Sequence, residues 1–219
     1  MKRILITGAL GQIGSELTEK LRLMHGNESV VVSDIREPID KANQSGPFEI
    51  IDTTDAKKIN EVVNKYNINQ IYHLASILSA NAEKNPQVAW NINMNSLYNI
   101  LEIAREKKCS VFTPSSIAAF GPNSPSENTP QDTIQRPTSI YGVTKVAGEL
   151  LCDYYFQKFG VDVRGVRYPG LISWKTLPGG GTTDYAVDIY YKAITDNKYT
   201  CFLNDKTSLD MMYMPDAIK

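Results

Sequence analysis

The chain has 219 residues, 42% of them hydrophobic and 21% charged, with a formal net charge of -1. That length suits one large core, or one core with a smaller lobe; the balanced charge gives no pull toward nucleic acid or an anionic membrane, and no apolar run approaches a bilayer span. Cys109, Cys152 and Cys201 lie far apart, without a CxxC pair and with only His25 and His73 as imidazoles, so no metal site is expected and the odd count fits reduced thiols in the cytoplasm.

The start, "MKRILITGALGQIG", has a basic front and a short apolar run. The run is only a strand long and breaks into glycines without a small-residue cleavage pattern, which excludes a signal peptide. "RILIT" (3–7) reads as a strand, and residues 11–26 place Ile13, Leu17, Leu21 and Met24 at helical spacing. "SVVVSD" (29–34) and "FEII" (48–51) are strands, and Asp55 caps an amphipathic helix carrying Ile59, Val62, Val63 and Tyr66. "QIYHLA" (70–75) leads to a long helix, 86–107, begun by Pro86. A fifth strand (110–116) precedes a proline-rich cover that cannot be helix. Helix 139–159, strand 161–168, a glycine loop, helix 183–195 and strand 198–203 complete the chain. Strands alternating with helices predict an α/β fold: a Rossmann-type doubly wound parallel sheet with ligands at the carboxyl ends of its strands.

Gly8, Gly11 and Gly14 stand three apart, between a strand and a helix. The turn needs no Cβ at Gly8, a pyrophosphate approaching backbone N–H groups needs Gly11, and helix–strand packing needs Gly14; Gln12 and Ile13 complete the turn. Asp34 ends the second strand twenty residues after Gly14, where a carboxylate accepts both adenosine-ribose hydroxyls and repels a 2′-phosphate, so NAD is expected rather than NADP. Ile35 and Arg36 flank that acid, although an arginine there can also serve a phosphate. Asp52, beside Thr53, either bonds the adenine amino group or caps the next helix. Leu74, Ala75 and Ser76 are small or apolar where a cofactor would cross the strand end, and His73 reads as a satisfied structural imidazole. Asn93, a poor helix former, is expected to bond backbone across the sheet end; Tyr168, at the end of the sixth strand, and Leu171, beyond it, complete the candidate cofactor set.

Tyr141 and Lys145 are four apart on one helix face, and an ammonium beside a phenol favours the phenolate. Ser115 and Ser116 end the fifth strand, where a hydroxyl can hold a substrate oxygen. TGxxGxxG at 7–14, the acid at 34, "HLAS" (73–76), Asn93, the two serines and Tyr141-x-x-x-Lys145 together resemble the extended short-chain dehydrogenases/reductases, over essentially the whole chain. The resemblance implies that Tyr141 is the acid/base, that Lys145 also holds the nicotinamide ribose, and that Ser116, or its neighbour Ser115, orients the substrate. It implies residues 1–168 as the NAD-binding domain and 169–219 as the start of a small substrate lobe, incomplete here, in a homodimer built on helices flanked by Tyr98 and Tyr154/Tyr155.

"RYPGLISWKTLPGGGTTDYAV" (167–187), "ILSA" (77–80) and "MMYMPDAIK" (211–219) resemble the L-threonine 3-dehydrogenases of that superfamily, with Asp210 standing where a proline is common. Between Pro169 and Val187 the only basic residue is Lys175, too little for a sugar-nucleotide pyrophosphate. Glycine N–H groups and hydroxyls suit one small carboxylate instead. The resemblance then implies L-threonine or a similar small molecule as substrate, with Ser79, Ser115, Tyr141, Gly181, Thr182 and Thr183 as the candidate substrate set. A nucleotide-sugar epimerase or dehydratase and a non-catalytic NAD-sensing module are the rivals.

Overall fold

The computed structural model describes residues 2–38, 45–177 and 179–219; Pro178 of the glycine loop lies outside the described residues. In chain order the elements are β1 (Ile4–Thr7), α1 (Gln12–His25), β2 (Val30–Asp34), β3 (Phe48–Ile50), α2 (Ala56–Tyr66) and β4 (Gln70–His73). Next come α3 (Ser79–Lys84), α4 (Pro86–Trp90), α5 (Ser96–Lys107), β5 (Ser110–Phe112), β6 (Ser115–Ser116) and α6 (Ile140–Phe159). The last are β7 (Val163–Arg164), β8 (Arg167–Tyr168), β9 (Gly170–Ile172), α7 (Tyr185–Thr195), β10 (Met211–Tyr213) and α8 (Met214–Ala217).

Six strands form one parallel sheet in the order β3-β2-β1-β4-β5-β7. Side-chain alternation feeds two cores. Ile4, Ile6, Val30 and Val32 meet Leu17 and Leu21 of α1 on one face. Leu5, Val31 and Ile71 meet Ile59, Val62, Ile100 and Leu101 from α2 and α5 on the other. Each such side chain, fully buried, contributes about 1.5–3 kcal/mol relative to exposure. This is the Rossmann-type arrangement. The strand order reverses between β1 and β4, and a crevice opens beyond their carboxyl ends at that point.

Four expectations change. The helix expected over 86–107 is interrupted: α4 and α5 are joined by a five-residue π turn, Asn91–Asn95. The fifth and sixth strands each split in two, because Pro114 has no N–H to continue the ladder and Gly165 lets the backbones cross closely at Thr113. The outer halves, β6 and β8, form a separate two-stranded ribbon. No strand forms at 198–203. The free edge of β9 is taken instead by β10, whose Met211 lies against Gly170; a Cβ on Gly170 would come within 2.5 Å of the Met211 sulfur. Asp210 supports this ribbon through its carbonyl, which accepts from the Gly170 N–H at 3.0 Å, so its side chain is not what the ladder uses.

Candidate active site

A cleft of about 880 Å³ opens at the strand-order reversal. Gly8, Gly11 and Gly14 floor it. Gly8 has φ +69°, and a Cβ there would lie 2.7 Å from the Ala75 nitrogen, while one on Gly14 would lie 2.6 Å from Ala9 Cα. Helix α1 begins without a side-chain cap and with no acid in its first turn, leaving its N-terminal N–H groups open to an anion. Gln12 Nε2, at the same helix start, is buried with no hydrogen-bond partner among the described residues. These features fit a dinucleotide pyrophosphate.

Asp34 sits beside this turn. Its Oδ2 accepts from the Leu10 N–H (3.1 Å), and its Oδ1 accepts from the N–H and Nε of Arg36 (3.2 and 3.1 Å). Ile35 and Arg36 line the cleft mouth, and Asp52 and Thr53 line the wall beside them. Asp52 is not the helix cap. Its Oδ1 accepts from the N–H and hydroxyl of Thr54, while α2 is capped by Asp55, which accepts from the Lys58 N–H.

His73 bridges Thr7 Oγ1 (2.9 Å, at Nδ1) and Ser96 Oγ (3.2 Å, at Nε2), and it does not line this cleft. Burial, aided by the Lys145 charge, pushes it down to about 3, so it is neutral and structural. Leu74, Ala75 and Ser76 line the cleft. Asn93 lies in the π turn and clasps the chain after β4. Its Oδ1 accepts from the Ile77 N–H (2.8 Å) and Ser76 Oγ (3.1 Å), and its Nδ2 donates to the Ile77 carbonyl (3.1 Å) and Thr144 Oγ1 (3.3 Å).

Helix α6 starts at a Ser139 cap and presents Tyr141 and Lys145 to the cleft one turn apart. Lys145 Nζ donates to the Pro114 carbonyl at 2.8 Å and lies 5.3 Å from the Tyr141 ring centre. Ser116 lines the same cleft and its Oγ accepts from the Ala118 N–H (3.2 Å). Ser115 lines the cleft too, with its hydroxyl donating to Glu149. Tyr168 and Leu171 also line the cleft, with the Tyr168 hydroxyl donating to the Ala217 carbonyl (2.8 Å), so that hydroxyl is engaged within the fold.

The glycine loop spans the cleft. On the α1 side Ser173 donates to Glu16 (2.7 Å), Thr176 and Ser15 hydroxyls share a hydrogen bond (2.9 Å), and Lys175 pairs with Glu19. On the α3 side the Gly180 carbonyl accepts from Ala80 N–H (3.1 Å) and Ser79 Oγ accepts from Thr182 N–H (3.1 Å). The expectation of bare glycine N–H groups is corrected here. Those of Gly180 and Gly181 donate to Asp184 Oδ2 at 2.8 and 2.7 Å, so they are not free for a substrate carboxylate. Gly181, Thr182 and Thr183 still line the cleft with Ser79. Sequence reasoning missed Asp184, although an acid closely following three glycines is the signature of a self-satisfied turn. It also missed Glu16 and Glu19, whose partners lie more than 150 residues away. Among the described residues no group of three or more His, Cys, Asp or Glu could hold a metal ion.

Residues 4–219 match the model of the NAD dependent epimerase/dehydratase family. The chain belongs to that family. Its cofactor is NAD, and the glycine turn, open helix start and Asp34 are the features of this chain that fit it. Within the family, an uncharacterised epimerase/dehydratase of Staphylococcus saprophyticus is 60% identical over all 219 residues, which span 68% of that protein. The crystal structure of an L-threonine dehydrogenase from Clostridium difficile matches with TM-score 0.94 and 62% identity, over 100% of this chain and 69% of that one. An L-threonine dehydrogenase from Phytophthora infestans matches with TM-score 0.93 and 49% identity, over 99% and 69%.

Proposed function

We propose that the protein oxidises the β-hydroxyl of L-threonine to give 2-amino-3-oxobutyrate. The observation that carries this reading is the 62% identity to an L-threonine dehydrogenase, over a chain that keeps Tyr141, Lys145 and Ser116 on one cleft wall. NAD supplies the hydride acceptor when bound. Gly8, Gly11, Gln12, Ile13 and Gly14 would hold its pyrophosphate, and Asp34 its adenosine ribose. Ser116 orients the substrate hydroxyl, and Tyr141 Oη takes its proton as the C–H bond breaks. Lys145, fixed by the Pro114 carbonyl, holds positive charge beside the phenol. Ser79, Thr182 and Thr183, which line the cleft, would hold the amino-acid end, and the loop spanning the cleft would exclude water.

The same loop weighs against a sugar-nucleotide substrate. Lys175, its one cation, is already paired with Glu19. A sensing module has no use for the Tyr141–Lys145 pair. Three free cysteines support a cytoplasmic setting. The half-exposed Tyr98 and Tyr154, with exposed Phe156, on α5 and α6 support a homodimer.

Incubating the protein with NAD and L-threonine, serine, 3-hydroxybutyrate or UDP-glucose tests the reading through NADH absorbance. NADH is expected with L-threonine, and Tyr141→Phe is expected to lower kcat by about 10²–10⁴-fold. Full activity of Tyr141→Phe would remove the tyrosine from this role.

A further inference from the structure

Glu149 lies two turns beyond Tyr141 and one beyond Lys145, on the same face of α6. It does not line the dinucleotide cleft. It faces a second cavity of about 510 Å³ behind it, together with Arg167. Its carboxylate is hydrogen-bonded on both oxygens. Oε1 accepts from Ser115 Oγ and Arg167 Nε (3.0 Å), and Oε2 accepts from Arg167 Nη2 (2.7 Å) and Gln135 Nε2 (3.1 Å). Burial raises the carboxyl, but Arg167, Ser115 and Gln135 outweigh it and hold it below the usual carboxylate range.

The register of the β6–β8 ribbon shows what this network fixes. Ser115 pairs with Arg167 and Ser116 with Tyr168. Successive side chains alternate, so the Ser115 hydroxyl and Arg167 meet at Glu149 while Ser116 and Tyr168 line the cleft, which Ser115 borders as well. A ribbon of two residues per strand has too few ladder bonds to fix its own position. It is fastened to α6 at Pro114, by Lys145, and at Ser115, by Glu149. The helix that carries the phenol therefore also carries the clamp on the strand that carries the hydroxyl.

We infer that Glu149 is a positioning residue, which sets the Ser116 hydroxyl against Tyr141 by gripping Ser115 and Arg167 behind the cleft. The inference rests on the proposed roles of Ser116 and Tyr141.

Glu149→Gln in the full chain keeps the shape and removes the charge that Arg167 and Ser115 share. It is expected to lower kcat for L-threonine about 10-fold, leaving KM and the NAD dissociation constant (read by tryptophan fluorescence) within about twofold. Ser115→Ala, which cuts only one link, should reproduce a smaller part of the loss and serves if Glu149→Gln folds poorly. In a Ser116→Ala background Glu149→Gln should cost nothing further, because its effect passes through that hydroxyl. Losses that multiply across the two backgrounds, or a matching loss of NAD affinity, would overturn the inference. A wild type inactive on L-threonine would sink the proposed function alone. The clamp is then read from amide hydrogen exchange at 115–118, expected to rise about 10-fold in Glu149→Gln with β1 unchanged; unchanged exchange there would overturn it.

Discussion

Gly8 and His73 show two ways in which a single residue serves this cleft. Gly8 must be glycine because its backbone is left-handed and Ala75 leaves no room for a Cβ. That constraint is local, which is why the turn was legible in the sequence. His73 was legible only as an unremarkable core residue, and the structure supplies its two hydroxyl partners from β1 and α5. Its consequence is a pH dependence of stability. The folded value, about 3, lies below the unfolded value near 6.5. The neutral form is thus favoured on folding, and the contribution is present above about pH 6.5 and lost as pH falls toward 3. Over that window a single such group gives a slope of about 1.4 kcal/mol per pH unit. Urea unfolding at a series of pH values should show this slope in excess over His73→Gln. Parallel curves for the two proteins would mean that the imidazole is not held neutral. Glu149 lies at the opposite extreme of legibility. Its partners come from β6, β8 and the proline-rich loop, and no spacing in the sequence joins them.

Among the elements, helices with their own caps and periodicity are legible in the sequence, apart from the π turn inside 86–107, and the strand that depends on a free edge is not. Helix α6 has its Ser139 cap, its Gly160 stop and its Tyr141–Lys145 face in the sequence itself. The 198–203 strand failed because β propensity without a free sheet edge makes no strand, and the β9 edge belongs to β10. Helix α3 went unseen because six residues are too few for a period. The glycine loop is the element on which the proposed function turns. Asp184 ties down its glycines, while Glu16 and Ser79 fasten its two ends to opposite walls. Asp184→Ala removes the acceptor of two N–H groups and leaves them to solvent, a loss of about 1–3 kcal/mol in loop order. We expect the KM for L-threonine to rise about 10-fold with NAD affinity unchanged, since the loop, not the α1 turn, is loosened. Steady-state kinetics beside a binding titration checks this. An unchanged KM would show that the loop's internal bonds do not govern substrate closure.

At the scale of the whole molecule, the order of the six strands puts the β1 and β4 ends, the α1 start and Asp34 into a single crevice. Ligand binding there must therefore stabilise the sheet as a unit, because its two sides share that crevice and the two cores behind it. At a concentration 100 times its dissociation constant, a ligand that binds only the folded state adds about 2.7 kcal/mol. For a chain of this size each kcal/mol raises Tm by about 2–4 °C, so NAD should raise it by roughly 5–11 °C. NADP differs by a 2′-phosphate, which would meet the carboxylate of Asp34, a residue 7% exposed and held by Leu10 and Arg36. Arg36 is half spent on that acid and is itself exposed, so it offsets little of the repulsion. NADP at the same concentration should therefore shift Tm by no more than about 2 °C. Asp34→Ser, which removes the charge and frees Arg36, should bring the two shifts together. Equal shifts in the wild type would show that Asp34 does not discriminate the 2′-position, and the cofactor preference would then have to come from another part of the crevice.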